Sequence, residues 1–279
     1  MKKGMSRVIR LTIVYALILT GAAFVLFPFI WMFSTSLKNI VQCYDYPLSW
    51  FPRPFVWRNF VDGWQIGNFS LYLKNTLVVT FGAMAGAVLS CSLVAYGFAR
   101  FKVPGKDILF LLLLGTMMVP FHVTMVPLFI LFKQLGWINT FKPLIIPSFF
   151  AISPFFVFLL RQFFRTIPTE IEDAAIIDGC SYFDVFWRII LPLAKPALAA
   201  VVIFSFTWNW NDFLGPLIYL GKGKYTLQVG LANFIGQLIV IKWNYMMAVS
   251  ILVMLPCVIL FFFTQRYFIQ GVVFTGIKE

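Results

Sequence analysis

Six mainly apolar stretches, each close to the length of a membrane-spanning helix, constrain this chain more than any other feature. They cover residues 11–33, 76–98, 108–132, 144–160, 197–220 and 245–263. A helix needs about 20 such residues to cross the hydrocarbon core of a bilayer. Little remains to face water: 11% of the 279 residues are charged and 61% are hydrophobic, against roughly 25% charged in soluble proteins. The pattern predicts an all-α integral membrane protein with six transmembrane helices. Disorder is excluded, since disordered chains are poor in aromatic residues and this one has 34 Phe, 10 Tyr and 9 Trp. The first stretch follows Lys2, Lys3, Arg7 and Arg10 as a signal peptide would, but its apolar run is too long and ends without a small-residue cleavage site. It is read as an uncleaved first span.

The net charge of +12 comes from 22 Lys and Arg dispersed between apolar stretches. No contiguous basic face results, so nucleic-acid binding is not expected. The charges report topology instead, because basic segments near span ends are retained in the cytoplasm. In a six-span arrangement thirteen fall on the side of the amino terminus, among them Arg100, Lys102, Lys106, Arg161 and Arg188, and nine on the other. Both termini are expected to be cytoplasmic. Trp50, Trp57, Trp64, Trp137 and Trp243 then lie in or beside outer loops, where indole prefers the membrane interface.

Chemistry within the chain is not expected. Cys43, Cys91, Cys180 and Cys257 are far apart, His122 is the single histidine, and neither a C-x-x-C pair nor a G-x-S-x-G elbow occurs. No metal site is predicted. The phosphate-binding pattern G-x-x-x-x-G-K-[ST] is absent, and GKGK at 221–224 is followed by Tyr225. An ion-coupled carrier keeps ionisable groups within its spans, and here the only internal acid is Asp212. Uphill movement of a solute would therefore draw its energy from another chain. Pro28, Pro120, Pro127, Pro147, Pro154, Pro216 and Pro256 interrupt the apolar stretches. Such helices belong in a bundle, where neighbours restore the lost hydrogen bonds. Gly82, Gly86 and Ser90 form a small-residue stripe suited to close helix packing.

Between the fourth and fifth stretches runs RQFFRTIPTEIEDAAIIDGCSYFDVFWRIILPLAKP, residues 161–196, too polar to insert. Thr169 with Glu172 makes a capping box, and Glu170, Glu172 and Asp173 put negative charge in the first turn of the helix it opens. Gly179 supplies a left-handed terminus. Ser181 and Asp184 restart a second short helix, which Pro192 and Pro196 close. Ile171, Ala174, Ala175 and Asp178 share one side of the first helix, and the two alanines leave a flat face that another protein's groove would accept. The whole chain, residues 1–279, is expected to form a single transmembrane domain with this loop, 166–196, on its cytoplasmic face.

The loop resembles that of the membrane-spanning subunits of ABC importers, and within them the permeases for oligosaccharides of the maltose and multiple-sugar type. Their pattern is E-A-A, three residues, G, nine residues, I-x-L-P. Here Asp173, Ala174, Ala175, Gly179, Ile189, Leu191 and Pro192 keep every spacing, with Asp173 in place of glutamate and Glu172 just before it. TMMVPFHVTMVPLF, LGWINT, FLLRQFF and WNDFLGPLIYL are similar to further blocks of that family. The resemblance implies a type I ABC importer permease in a bacterial cytoplasmic membrane. It would translocate an oligosaccharide by alternating access beside a second homologous permease, two cytoplasmic ATPase subunits and an extracellular solute-binding protein. ATP and Mg would be held by the ATPases, and this chain would carry no cofactor. The residues Glu172 to Ala175, Gly179, Ile189, Leu191 and Pro192 would couple it to the ATPase.

Trp208, Asn209, Trp210 and Asn211 alternate aromatic faces with amides, which suits sugar rings and hydroxyls, so they are candidates for the solute pathway. The outer segment 221–243, with Gly230, Asn233, Gly236 and Gln237, is a candidate flexible contact for the binding protein, as in sugar permeases of this kind. The alternatives are a permease for another small polar solute such as glycerol phosphate, or an ion-coupled secondary carrier.

Overall fold

The structure is a computed structural model that describes residues 2–237 and 242–276. Helix α1 runs Lys2–Ser36, α2 Arg58–Ile66, α3 Phe69–Arg100, α4 Lys106–Gly115, α5 Phe121–Gln134, α6 Lys142–Ile145 and α7 Pro154–Phe164. They are followed by α8 Glu170–Ile177, α9 Tyr182–Val185, α10 Leu191–Leu193, α11 Lys195–Trp210, α12 Leu214–Tyr219, α13 Leu227–Gln237 and α14 Trp243–Gly276. No strand occurs among the described residues.

Among the described residues four stretches, Ile9–Ser36, Phe69–Arg100, Lys142–Phe164 and Trp243–Gln265, are long and apolar enough to cross a membrane, and two bent pairs bring the count to six if each is one span. The bends correct the sequence reading. The stretch 108–132 is not one straight helix: Lys106–Met118 and Phe121–Gln134 meet at 97°. Val119 is extended there, because a proline pushes the residue before it out of the helical region, and Pro120 is extended as well. The fifth stretch is corrected at both ends. Tyr182–Leu193 turns 79° into Lys195–Trp210, and Pro192 and Pro196 open α10 and α11 rather than closing a helix. A helix's first turn has no use for the N–H that proline lacks. At its C-terminal end α11 stops at Trp210. The Asp212 carboxylate takes the Gly215 amide at 3.2 Å and the chain restarts as α12, a short polar side chain competing with the backbone for its own hydrogen bonds.

The chain divides into two compact units, Met1–Phe69 with Leu231–Leu255, and Ser70–Gly230 with Pro256–Glu279. In the first, Asn59 donates to the carbonyls of Ser36 and Lys38, each at 2.8 Å, and accepts from Asn244 at 3.1 Å. These bonds fix the turn after α1 against α2 and the start of α14. In the second, α3, α7, α8, α9 and α11 share a core of Cys91, Ala95, Val157, Leu160, Phe164, Ala175, Val185, Ile190 and Val201. The small-residue stripe of α3 takes part in its packing. A Cβ on Gly86 would meet the Phe149 ring at 2.6 Å and one on Gly82 would meet Ile145 at 3.1 Å. Ser90 Oγ accepts from the Ala151 amide at 3.0 Å and can donate to the carbonyl of Gly86 at 2.8 Å or of Ser148 at 2.7 Å. That hydroxyl supports Ala151 in a left-handed conformation, φ +51°.

Candidate functional site

The loop between α7 and α11 folds as two short helices on the shared core. Helix α8 ends in a Schellman motif: the Cys180 amide donates to Ala175 at 2.9 Å and the Gly179 amide to Ile176 at 3.0 Å, with Gly179 at φ +89°. Only a residue without Cβ takes that conformation cheaply. Ser181 then caps α9, accepting the Asp184 amide at 3.1 Å while its hydroxyl donates to the Asp184 carboxylate at 2.5 Å. Residues Phe186–Ile190 widen into a π turn before Pro192.

The start of α8 differs from expectation. Thr169 makes no side-chain cap; its carbonyl, not its hydroxyl, receives the amides of Glu172 and Asp173, each at 2.9 Å. Glu172 does not reach back because it is turned inward. Its carboxylate is in ion-pair contact with Arg100 Nε and accepts the Tyr96 hydroxyl at 3.3 Å. A buried guanidinium is a stronger partner for a carboxylate than an exposed backbone amide.

The single flat alanine face is likewise corrected. Ala175 is 7% exposed and packs into the core, whereas Ile171, Asp173, Ala174, Ile177 and Asp178 face outward. Ile177 is 85% exposed, and in the helical segment that follows, Tyr182, Phe183 and Trp187 are exposed as well, the last two stacked with ring centroids 6.3 Å apart. Ile189 and Leu191 are half-buried against the core and Pro192 is exposed. The loop residues named from the sequence thus divide into an inward set, Glu172 and Ala175, and an outward set led by Asp173 and Ala174.

Sequence reasoning gave Arg100 only a topological role and passed over Tyr96. Their spacing of four places them on one helix face, and a charged residue with a hydroxyl one turn before it in an apolar span was the available signal. Arg161 is a similar case. It is buried over the Phe110 ring, 4.0 Å to its centroid, and its Nε donates to the Phe98 carbonyl at 3.3 Å.

At the other end of α11 lies an open cleft of about 1230 Å³ lined by Trp137, Ser148, Phe156, Trp208, Asn209, Asn211, Asp212 and Tyr219 among others. It takes in three of the four pathway candidates. Trp208 is half exposed and stacked on Phe156, centroids 5.0 Å apart. Trp210 is turned away, 2% exposed and stacked on Phe206. Asn209 donates to the Ser205 carbonyl at 2.7 Å and Asn211 to that of Thr207 at 2.9 Å. Their amide N–H groups therefore serve the helix; the Asn211 oxygen also takes the Gln228 amide at 3.2 Å, which leaves the Asn209 oxygen as the more available acceptor. No Lys, Arg or His is among the lining residues.

The described part of the segment 221–243, which leaves out residues 238–241, is more ordered than expected. Asn139 holds the Gly221 amide at 3.0 Å and the Lys224 ammonium at 2.6 Å. Asn75 donates to the Tyr225 carbonyl at 2.9 Å and Thr76 Oγ accepts the Leu227 amide at 2.8 Å. Residues from Leu227 then form α13, not a loose loop. Gly230 of α13 packs on Tyr72 of α3 and Asn233 is half-buried. The side chain of Gln237 and the surroundings of Gly236 lie outside the described residues.

The family profile "Binding-protein-dependent transport system inner membrane component" matches residues 89–273. The chain is 36% identical over 218 residues to "Arabinooligosaccharides transport system permease protein AraQ" of Halalkalibacterium halodurans, covering 77% of this chain and 76% of that one. It is 30% identical over 267 residues to "sn-glycerol-3-phosphate transport system permease protein UgpE" of Yersinia enterocolitica, covering 93% and 94%. In fold it is similar to a chain of a bacterial ABC transporter involved in the import of the acidic polysaccharide alginate, with a TM-score of 0.81, 23% identity and coverage of 92% and 96%.

Proposed function

The chain belongs to the family of inner-membrane components of binding-protein-dependent transport systems, and from that membership we propose that it is the permease subunit of an ATP-driven importer whose solute is an oligosaccharide. It works beside a second, homologous permease. Two cytoplasmic ATPase subunits bind ATP and Mg, and a solute-binding protein delivers the solute from outside. Both termini and the α8–α9 loop face the cytoplasm. Closure of the ATPases around ATP moves the loop, the loop moves the spans, and the pathway opens outward and then resets inward after hydrolysis.

The observation that carries the docking reading is the outward face of α8. Ile177 at 85% exposure, together with exposed Phe183 and Trp187 of the next helical segment, presents apolar side chains that the described residues leave uncovered, the usual mark of a protein contact. Asp173 at its edge would meet a basic residue of the ATPase. Asp173→Lys should reduce the ATPase that co-purifies with the permease, Ile177→Asp should do the same, and Asp173→Glu should be silent. Normal co-purification with both of the first two variants would place the docking site elsewhere.

A neutral sugar, rather than glycerol phosphate, is favoured by the cleft at the end of α11. A sugar ring would stack on Trp208 while its hydroxyls donate to Asn209, Asn211 and Asp212. An anion would lack a cationic partner there and would meet the Asp212 carboxylate. An ion-coupled carrier needs neither a binding protein nor a docking loop. Uptake into proteoliposomes, with neutral oligosaccharides and glycerol phosphate as competing solutes, tests the assignment: competition by the phosphate alone would reverse it.

A further inference from the structure

We propose that Arg100 and Tyr96 are positioning residues that lock α8 to the cytoplasmic end of α3 through Glu172, so that the loop and the second span move as one piece. The direction of the force rests on the docking reading above; the lock itself does not.

Glu172 is 5% exposed, and the side chains in its ion pair with Arg100 are 7% and 8% exposed. One carboxylate oxygen faces the Arg100 guanidinium and the other takes the Tyr96 hydroxyl. Arg100 Nη2 also donates to the Ile167 carbonyl at 2.8 Å, three residues before α8 begins. Two side chains of α3 thus hold the loop at two points. The Tyr96 ring packs on Phe186 with centroids 5.1 Å apart, and on Phe164 at 6.3 Å, which keeps the cluster dry. In such surroundings neither charge can leave its partner without a large desolvation cost. Helix α8 is therefore not a hinged arm that swings away from the spans. A pull on its exposed face reaches α3 directly. Asp173, one residue on, is exposed and remains free for a partner.

Cys180 reports whether the loop is seated, since it is half-buried against the core at the end of α8. With Cys43, Cys91 and Cys257 replaced by Ala, its rate of maleimide labelling is measured in membranes, and the ATP hydrolysed per solute imported is measured for the complete reconstituted transporter. Glu172→Gln keeps the shape of the side chain and its bond from Tyr96 but removes the charge. It should label about tenfold faster, the change that follows from ~1.4 kcal/mol lost from the seated state, and should hydrolyse several-fold more ATP per solute. Arg100→Gln should behave alike. The exchange Arg100→Glu with Glu172→Arg should bring both readouts back toward the unaltered protein, which a lesion in folding or assembly would not do. Unchanged labelling and an unchanged ratio in both single variants would overturn the lock, as would an exchanged pair no better than either single variant. If labelling responds as expected but Asp173→Lys and Ile177→Asp leave ATPase binding normal, the lock stands and the docking reading falls.

Discussion

Gly179→Val isolates the conformational requirement at the end of α8. The residue sits at φ +89°, and a Cβ built on it would meet nothing within 4 Å. Any cost is therefore one of backbone conformation, not of crowding. An L-residue held in the left-handed region costs about 1–2 kcal/mol, and branching at Cβ puts valine at the upper end of that range. About 2 kcal/mol corresponds to a roughly thirtyfold shift in the ratio of ordered to disordered loop. Alanine should cost about 1 kcal/mol and asparagine less, since Asn visits this region more readily. The order of retained ATPase per permease in purified complexes should be Gly, Asn, Ala, Val, while the amount inserted in the membrane stays the same. Retention by Gly179→Val equal to that of glycine would refute the reasoning. Alanine behaving worse than valine would also do so, since it would point to a steric cause that the open space around Gly179 does not provide.

Other perturbations address the remaining structure. Ser90→Ala removes the acceptor of the buried Ala151 amide and should cost about 1–3 kcal/mol, visible as a lower Tm in detergent; no change in Tm would remove Ser90 from the packing of α3. Trp208→Ala should raise the half-saturation for a neutral oligosaccharide without changing ATPase binding, and an unaltered half-saturation would take Trp208 out of the pathway. In a background free of other cysteines, Pro104→Cys should label only from the cytoplasm and Phe55→Cys only from outside; labelling of both from one side would break the proposed topology. Lys38, 1% exposed and 4.0 Å over the Trp31 ring, has its ammonium pushed below the usual lysine range by burial. Its protonated form is therefore disfavoured in the folded state, and stability should rise with pH from that lowered value up to the ordinary 10.5. Lys38→Met should abolish the rise; a rise that persists in the variant would assign it to another group.

The sequence showed what repeats along the chain and missed what converges across it. Six apolar stretches were visible because a span needs length and hydropathy alone, and Gly179 was visible because helix termination is local. The bend at Val119 and Pro120 was hidden because Pro120 was one of seven prolines within the apolar stretches and nothing local set it apart from those that helices tolerate. The capping box at Thr169 was misread for a related reason: Glu172 had the right local spacing, but Arg100, 72 positions earlier, is the stronger partner. The anchoring of the outer segment by Asn75 and Asn139 also joins residues distant in sequence, and no periodicity reports such contacts. Trp210 and Trp208 read as equivalent in sequence, and only their opposite positions around α11 separate a packed indole from one that lines the cleft.

The most direct measurement of the central claim is site-specific crosslinking from Ile177→Cys, in a background free of other cysteines, to the ATPase subunit of the assembled transporter. The account predicts a crosslink to the ATPase whose yield changes when ATP binds and again after hydrolysis, and no such crosslink from a control cysteine at exposed Leu135, which the proposed topology puts outside. An Ile177→Cys permease that imports solute normally but yields no ATPase crosslink with reagents of any length, in any nucleotide state, would contradict it.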